Sequence, residues 1–379
     1  MSAWRAQLHA VQVVDGTTCC AAGAHVASLA QGLAARGVDV TVCAPLAAER
    51  TFGFSKAGAR FRTVEMGDPG NPRNEAAAIG ILRYVCSTAD VVHAHGVRAG
   101  ILAAIALRST GPVRHRAPLV VTLHGCASPQ HRTPPVTKYS GPSGIPRPWW
   151  LPAVPVTRLL SMVERYVARA ADVVLGVSSS VVHRARRLGA KDARLAPVAA
   201  PQAMVPSDPE QVRAKTRAEL GVPDDGGRQR PLLLSVGGLS ASPSHRTLLD
   251  AARAWRSLDP EPLLLVAGDG PERALLQDRI DSERLPARLL GVRHDIPALL
   301  VACDLVILPS RWEGRSLIAQ GALRAGVPLV AAAAGTLPEL VGDGAALVPY
   351  GNAEALAKAV ALLITDPRSY AALAERGRA

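Results

Sequence analysis

Short apolar runs recur along this chain, separated by stretches whose apolar positions follow a helical spacing. Leu8 to Val14 predicts a first strand. Gly23 to Arg36 predicts an amphipathic helix, with Val26, Leu29, Leu33 and Ala34 on one face. Gly37 is placed to end it. Val38 to Ala44, closed by Pro45, predicts a second strand, and Phe61 to Val64 a third. Asn74 to Ser87 and Ile101 to Leu107 carry helical patterns, with Val91 to Ala94 and Leu119 to Leu123 as buried strands between and after them. Val156 to Ala170 is helical again and Val173 to Ser178 extended. Strands that alternate with helices predict a parallel, doubly wound sheet.

Proline interrupts the pattern twice. Residues 127–153 are rich in proline and carry Trp149 and Trp150 beside Arg147. A loop of that length is functional or disordered. The paired tryptophans suit packing on a neighbouring helix, or docking of a hydrophobic acceptor or a membrane interface. Pro197, Pro201, Pro206 and Pro209 then mark an inter-domain linker. A fresh α/β unit follows, with strands predicted at Leu232 to Val236, Leu263 to Ala267, Leu289 to Gly291, Leu305 to Leu308 and Leu329 to Ala332. The reading is two doubly wound Rossmann-like domains, 1–200 and 201–379, facing across a cleft.

Composition narrows the class. The chain has 379 residues, 48% hydrophobic but only 3% aromatic, so the core must be mostly Ala, Val and Leu. That is the profile of a globular α/β protein. No apolar run reaches the roughly 18 residues that span a bilayer. The N-terminus lacks the apolar stretch of a secretion signal, so a cytoplasmic location is expected. The six cysteines include no Cys-x-x-Cys pair, and free thiols are expected. Of 43 Lys+Arg and 31 Asp+Glu, residues 1–195 hold 23 and 10, which leaves 20 and 21 for the rest. A basic first half suits an anionic partner: nucleic acid, lipid headgroups or an anionic substrate.

Residues 304–339 are the richest in candidate chemistry: D-L-V-I-L-P-S-R-W-E-G-R-S-L-I-A-Q-G-A-L-R-A-G-V-P-L-V-A-A-A-A-G-T-L-P-E. A strand runs into Pro309-Ser310, the carboxylate of Glu313 follows, and a helix starts near Ser316. In open α/β sheets ligands sit outside the carboxyl ends of the strands. A carboxylate and a helix N-terminus there can hold a sugar hydroxyl and a phosphate together. Other pieces occur in order: A-A-G-A-H-V-A-S-L-A-Q-G-L-A-A-R-G (21–37), D-V-V-H-A-H-G (90–96), V-V-T-L-H-G (120–125), E-R-Y-V-A-R-A-A-D-V-V-L-G-V-S (164–178), S-V-G-G-L-S (235–240), V-A-G-D-G-P-E-R (266–273), E-G-R-S-L (313–317) and A-G-T-L-P-E (334–339). Together they resemble the retaining glycosyltransferases of family-4 type, which have the GT-B fold, over nearly the whole chain.

The resemblance implies an acceptor-binding first domain and a nucleotide-sugar-binding second domain. It implies that His124 and Glu313 form the reaction centre, and that Gly23, Gly237, Gly270, Gly314, Arg315, Ser316 and Leu317 bind the donor. It places His25, His95 and Gly125 near the acceptor, with His93 packing behind them. It implies no metal and no cofactor beyond the donor substrate. The chain departs from the family pattern at Gly238 and Pro243, where Arg and Lys are expected on the donor diphosphate, and at Gly321, where a second Glu is expected. Val198-Ala199-Ala200-Pro201 replaces a usual Asn-Gly-Val-Asp, and no C-terminal crossover helix is expected after L-A-E-R-G-R-A. Arg315, with His245, Arg246 and Arg311, is the nearest source of replacement charge.

The expected function is transfer of a hexose from a nucleotide-diphosphate sugar, with retention, to a cytoplasmic acceptor that is anionic or lipid-linked. Peripheral contact with the inner membrane face is expected with it, and nucleic acid is not an expected partner. Two alternatives stand beside it: a catalytically degenerate glycosyltransferase-like subunit that binds a partner enzyme or glycan, and a nucleotide-sugar epimerase on the same fold.

Overall fold

A computed structural model describes residues 8–15, 20–66, 72–108, 116–124, 156–200, 206–222, 229–240, 243–311 and 315–378. The chain divides into two compact units, Met1–Val198 and Ala199–Ala379. The tryptophan-bearing stretch 127–153, Gly125, Glu313 and Gly314 lie outside the described residues.

The first unit is built on seven parallel strands: β1 (His9–Val14), β2 (Asp39–Ala44), β3 (Arg60–Thr63), β4 (Val91–His95), β5 (Leu119–Leu123), β6 (Val173–Gly176) and β7 (Ala193–Leu195). Their order across the sheet is β3-β2-β1-β4-β5-β6-β7. Helices α1 (Cys20–Ala34), α2 (Leu46–Phe52), α3 (Pro72–Cys86), α4 (Val97–Arg108), α5 (Val156–Ala170) and α6 (Ser179–Arg187) make the crossovers. From β1 the chain winds outward through β2 to β3. It then returns to the other side of β1 and winds outward again from β4. The reversal between β1 and β4 is the switch point, where such sheets open a crevice at the carboxyl ends of their strands.

The second unit repeats the plan with six parallel strands in the order β10-β9-β8-β11-β12-β13. They are β8 (Leu232–Val236), β9 (Leu263–Ala267), β10 (Ala287–Gly291), β11 (Leu305–Leu308), β12 (Leu329–Ala332) and β13 (Ala346–Val348). Its helices are α7 (Pro209–Glu219), α8 (Pro243–Trp255), α9 (Arg273–Glu283), α10 (Ile296–Ala302), α11 (Leu317–Ala325), α12 (Leu337–Val341), α13 (Ala353–Thr365) and α14 (Pro367–Arg378). Here the switch point falls between β8 and β11. Pro209, read from sequence as part of the linker, instead starts α7, where a missing N–H costs nothing.

Period-2 alternation divides the apolar strand residues between two layers. Leu233, Leu264, Val266, Leu305, Ile307 and Val330 meet α8 and α13 on one face. Leu232, Leu234, Leu263, Leu265, Val306, Leu308 and Leu329 pack on the other. Each such side chain contributes about 1.5–3 kcal/mol when fully buried. With so few aromatics, Trp255 is the largest fully buried side chain among the described residues, and its indole N–H donates to the Ala357 carbonyl at 3.3 Å.

An ionic hub ties α7 to the base of this sheet. Asp304 accepts from Arg213 at 2.6 Å, from Arg217 at 3.2 Å and from the Leu232 amide at 2.7 Å. Arg217 is fully buried and also donates to the carbonyls of Ala302 and Arg230. Cys43, Cys86 and Cys303 are free and buried, and burial pushes the Cys43 and Cys86 thiols up to about 12. Among the described residues no helix is long and apolar enough to cross a membrane.

Candidate active site

At the switch point of the first unit, one face of the sheet changes from apolar to polar. Gln12 pairs with His93 and Val14 with His95 across β1 and β4, while His95 pairs with Thr122 across β4 and β5. Side chains two apart share a face. Gln12, His93, His95 and Thr122 therefore converge, with His124 just beyond β5 and His25 from α1 beside them. The ring centroids of His25 lie 5.7 Å from His95 and 5.9 Å from His124, and those of His95 lie 4.2 Å from His93 and 5.7 Å from His124.

Hydrogen bonds order this cluster. His95 Nε2 lies 2.9 Å from Gln12 Oε1. His95 Nδ1 lies 3.5 Å from His124 Nε2. His93 Nε2 lies 2.7 Å from the Thr122 hydroxyl. Burial, reinforced by repulsion from His25 and His124, lowers His93 to about 3. Burial, with His25 adding to it, lowers His124 to about 4. Burial also lowers His25, and it takes His95 well below the ordinary histidine value. Neutral imidazoles that both donate and accept are the consequence near pH 7. No group of three or more His, Cys, Asp or Glu among the described residues is arranged to hold a metal ion.

Three expected contacts take a different form. His95, expected beside an acceptor, is fully buried behind His124, so its reach to any ligand is through its neighbour. Gly23, expected against the donor, faces the Phe52 ring: a Cβ there would lie 2.2 Å from it. Gly270, also expected at the donor, lets the β9 turn approach the β8 loop. A Cβ on Gly270 would lie 2.4 Å from the Leu239 carbonyl oxygen, and the Leu239 N–H donates to the Asp269 carbonyl. Gly237 differs from both, because a Cβ there would meet nothing within 4 Å. Gln12 escaped the sequence reading altogether. Its signal is one amide between the apolar residues Val11 and Val13.

At the second switch point, the chain leaves the neighbouring strands β8 and β11 toward Gly237 and toward α11. Ser316 caps that helix, its hydroxyl accepting from the Ala319 N–H at 3.3 Å. The first amides of α11, at Leu317 and Ile318, have no carbonyl within the helix to bond and carry the positive end of its dipole. The four candidate cations divide. Arg246 is held by both oxygens of Glu272, at 3.2 and 3.3 Å. Arg311 lies over the Tyr350 ring, 5.7 Å from its centroid. Arg315 has a buried Nε with no hydrogen-bond partner, and buried His245 has an Nδ1 in the same condition. Buried polar atoms are nearly always satisfied, and these two orphans follow β8 and β11, the strands on either side of the switch point.

A model of the glycosyl transferase 4-like domain matches residues 21–201, and one of glycosyl transferases group 1 matches residues 222–379. The chain belongs to the family-4-type GT-B glycosyltransferases. It is 30% identical to the 2-deoxystreptamine N-acetyl-D-glucosaminyltransferase of Streptomyces fradiae over 224 residues, 55% of this chain and 51% of that protein. It is 29% identical over 233 residues to the GDP-mannose-dependent alpha-(1-6)-phosphatidylinositol monomannoside mannosyltransferase of Mycolicibacterium smegmatis, 58% of this chain and 56% of that one. The matches thus span about half the length of these curated relatives. The crystal structure of Anabaena HepE in complex with UDP and glucose shares the fold, with a TM-score of 0.79 and 21% identity over 98% of this chain and 94% of that one.

Proposed function

We propose that this glycosyltransferase-family chain moves a hexose from a nucleotide-diphosphate sugar to an acceptor hydroxyl, with retention at the anomeric carbon. The bond from that carbon to the diphosphate oxygen breaks and a bond to the acceptor oxygen forms. The acceptor's proton leaves, and the nucleotide diphosphate departs with the electron pair. The observation that carries this reading is the pair of switch points, each with its own chemistry. One presents neutral imidazoles; the other presents an open glycine loop, a helix N-terminus and an orphaned guanidinium nitrogen.

In this reading the second unit holds the donor. The first amides of α11 and the Arg315 guanidinium take the diphosphate, whose charge grows as the bond breaks. Gly237 lets that group approach the backbone. Glu313 accepts hydrogen bonds from sugar hydroxyls. In the first unit His124 meets the sugar or the acceptor. The HepE complex and the mannosyltransferase support a nucleotide-sugar donor. The latter's phosphatidylinositol-linked acceptor, with the basic balance of residues 1–195, supports an anionic or lipid-linked acceptor met at the inner membrane face. No metal enters this reading.

The test is turnover. The purified chain is incubated with UDP-glucose or GDP-mannose and a panel of aminocyclitol and glycolipid acceptors, and released nucleotide diphosphate and glycosylated product are followed together. Equal formation of both with one acceptor supports transfer. Isomerised donor without nucleotide release would make the protein an epimerase instead.

A further inference from the structure

We infer that Gln12 and His95 are positioning residues that hold His124 as its Nε2–H tautomer and leave its Nδ1 lone pair for the substrate. The inference deepens the proposed function and rests on it for the identity of the substrate, a sugar hydroxyl. The tautomer assignment itself rests on hydrogen-bond geometry and on the neutrality of the two buried rings.

The argument runs outward from the sheet. The Gln12 carboxamide oxygen can only accept, so at 2.9 Å the proton between it and His95 belongs to His95 Nε2. A neutral imidazole with its proton on Nε2 has a lone pair on Nδ1. That lone pair faces His124 Nε2 at 3.5 Å, which must then supply the proton. His124 is left with Nδ1 as an acceptor. Each imidazole is fixed by the bond its neighbour makes, a logic that holds wherever the second nitrogen of a histidine does chemistry. It requires both rings to be neutral, and burial keeps them so. The His25 ring lies edge-on to both His95 and His124 and is not part of the chain of bonds.

The placement argues for a purpose. Gln12 is 2% exposed and His95 fully buried, and apart from His93 the other buried residues of β1 and β4 are apolar. A buried amide–imidazole pair adds little net stability over apolar residues of the same shape. It does add a direction: a proton donor at the sheet and a proton acceptor at the strand-end histidine. An acceptor nitrogen can take a hydrogen bond from a sugar hydroxyl, and it can take the proton from an acceptor hydroxyl during transfer.

Long-range proton–nitrogen correlation spectra of the imidazoles test this directly in the full chain near pH 7.5, with His95 and His124 assigned by single replacement. Both rings are expected as Nε2–H tautomers. Gln12→Leu, which removes the acceptor at His95 Nε2, should shift both rings toward mixed tautomers. Thermal melting of each variant separates this from unfolding. Release of nucleotide diphosphate from the donor that the wild type turns over should fall about tenfold or more in Gln12→Leu with its KM little changed. A His124 found as Nδ1–H, or tautomers indifferent to Gln12→Leu, would overturn the inference. An absence of nucleotide diphosphate release from both UDP-glucose and GDP-mannose by the wild type would count against the proposed function while leaving the tautomers as the deciding evidence here.

Discussion

Gln12 Oε1 and His95 Nε2 meet at 2.9 Å across the boundary between β1 and β4, the line along which the first sheet reverses its winding. The bond anchors a set of neutral histidines in a site too buried to tolerate their charge. The hydrogen-bond partners of His93 and His95 on the sheet, the Thr122 hydroxyl and the Gln12 carboxamide, are neutral, so neither offsets a buried cation.

That arrangement predicts a stability that depends on pH with a definite sign. The folded values of His93, about 3, and His124, about 4, lie below the ordinary 6.5. Below pH 6.5 the unfolded chain therefore takes up protons that the folded chain refuses, and stability falls as acid is added. It is fully present above pH 6.5 and is lost toward pH 4. Each histidine that must stay neutral contributes a slope of about 1.4 kcal/mol per pH unit. Thermal melts from pH 8 to pH 4.5 should show the first unit falling steeply below pH 6.5. A melting temperature that is flat across that range would contradict the burial of the cluster.

Asp304 gives a second prediction, for the other unit. Removal of its carboxylate takes an ion-pair partner from the fully buried Arg217 and the 2.6 Å partner from Arg213. Breaking a buried ion pair on one side costs about 3–5 kcal/mol. Asp304→Ala should lower the melting temperature of the second unit by about 10 °C. A loss below about 2 °C would mean that the hub is not what ties α7 to the sheet.

Two glycines that read alike in sequence should separate in experiment. Gly270→Ala pushes a methyl group into the Leu239 carbonyl and must displace the β8 loop, so both stability and nucleotide binding should drop. Gly237→Ala meets open space, so stability should stay within about 0.5 kcal/mol. Its nucleotide affinity should still fall, because the methyl group occupies the approach to the backbone. Melting curves and UDP titrations on the two variants check the contrast. Equal behaviour would refute the distinct roles.

The sequence carried most of the fold because apolar runs mark buried parallel strands. Leu119 to Leu123, Leu232 to Val236, Leu263 to Ala267, Leu305 to Leu308 and Leu329 to Ala332 coincide with β5, β8, β9, β11 and β12. The elements without such a signal were missed. β7 is three residues long with Arg194 and Leu195 exposed, and α2 is a two-turn helix with no buried residue. Helix α4 begins four residues before its apolar run, at Val97. In the site, His25, His95 and His124 were visible through the family resemblance, and for His124 its place at a strand end before a glycine supported it. The role of Gln12 was not, because it depends on register between β1 and β4. The sorting of Arg246 from Arg315 was equally hidden: both are arginines near a loop, and only the fold shows that Glu272 claims one of them.

The central claim is a nucleotide-sugar site at the β8–β11 switch point, and calorimetric titration tests it most directly. UDP, UDP-glucose and GDP-mannose are titrated into the full chain and into Arg315→Ala and Glu313→Ala. The account predicts that at least one of the three ligands binds with micromolar affinity. Arg315→Ala should weaken it about tenfold or more, through loss of a charge-assisted hydrogen bond to the diphosphate. Glu313→Ala should weaken the sugar nucleotides more than UDP itself. Absence of binding by all three to the wild-type chain, with the protein shown to be folded, would contradict the account.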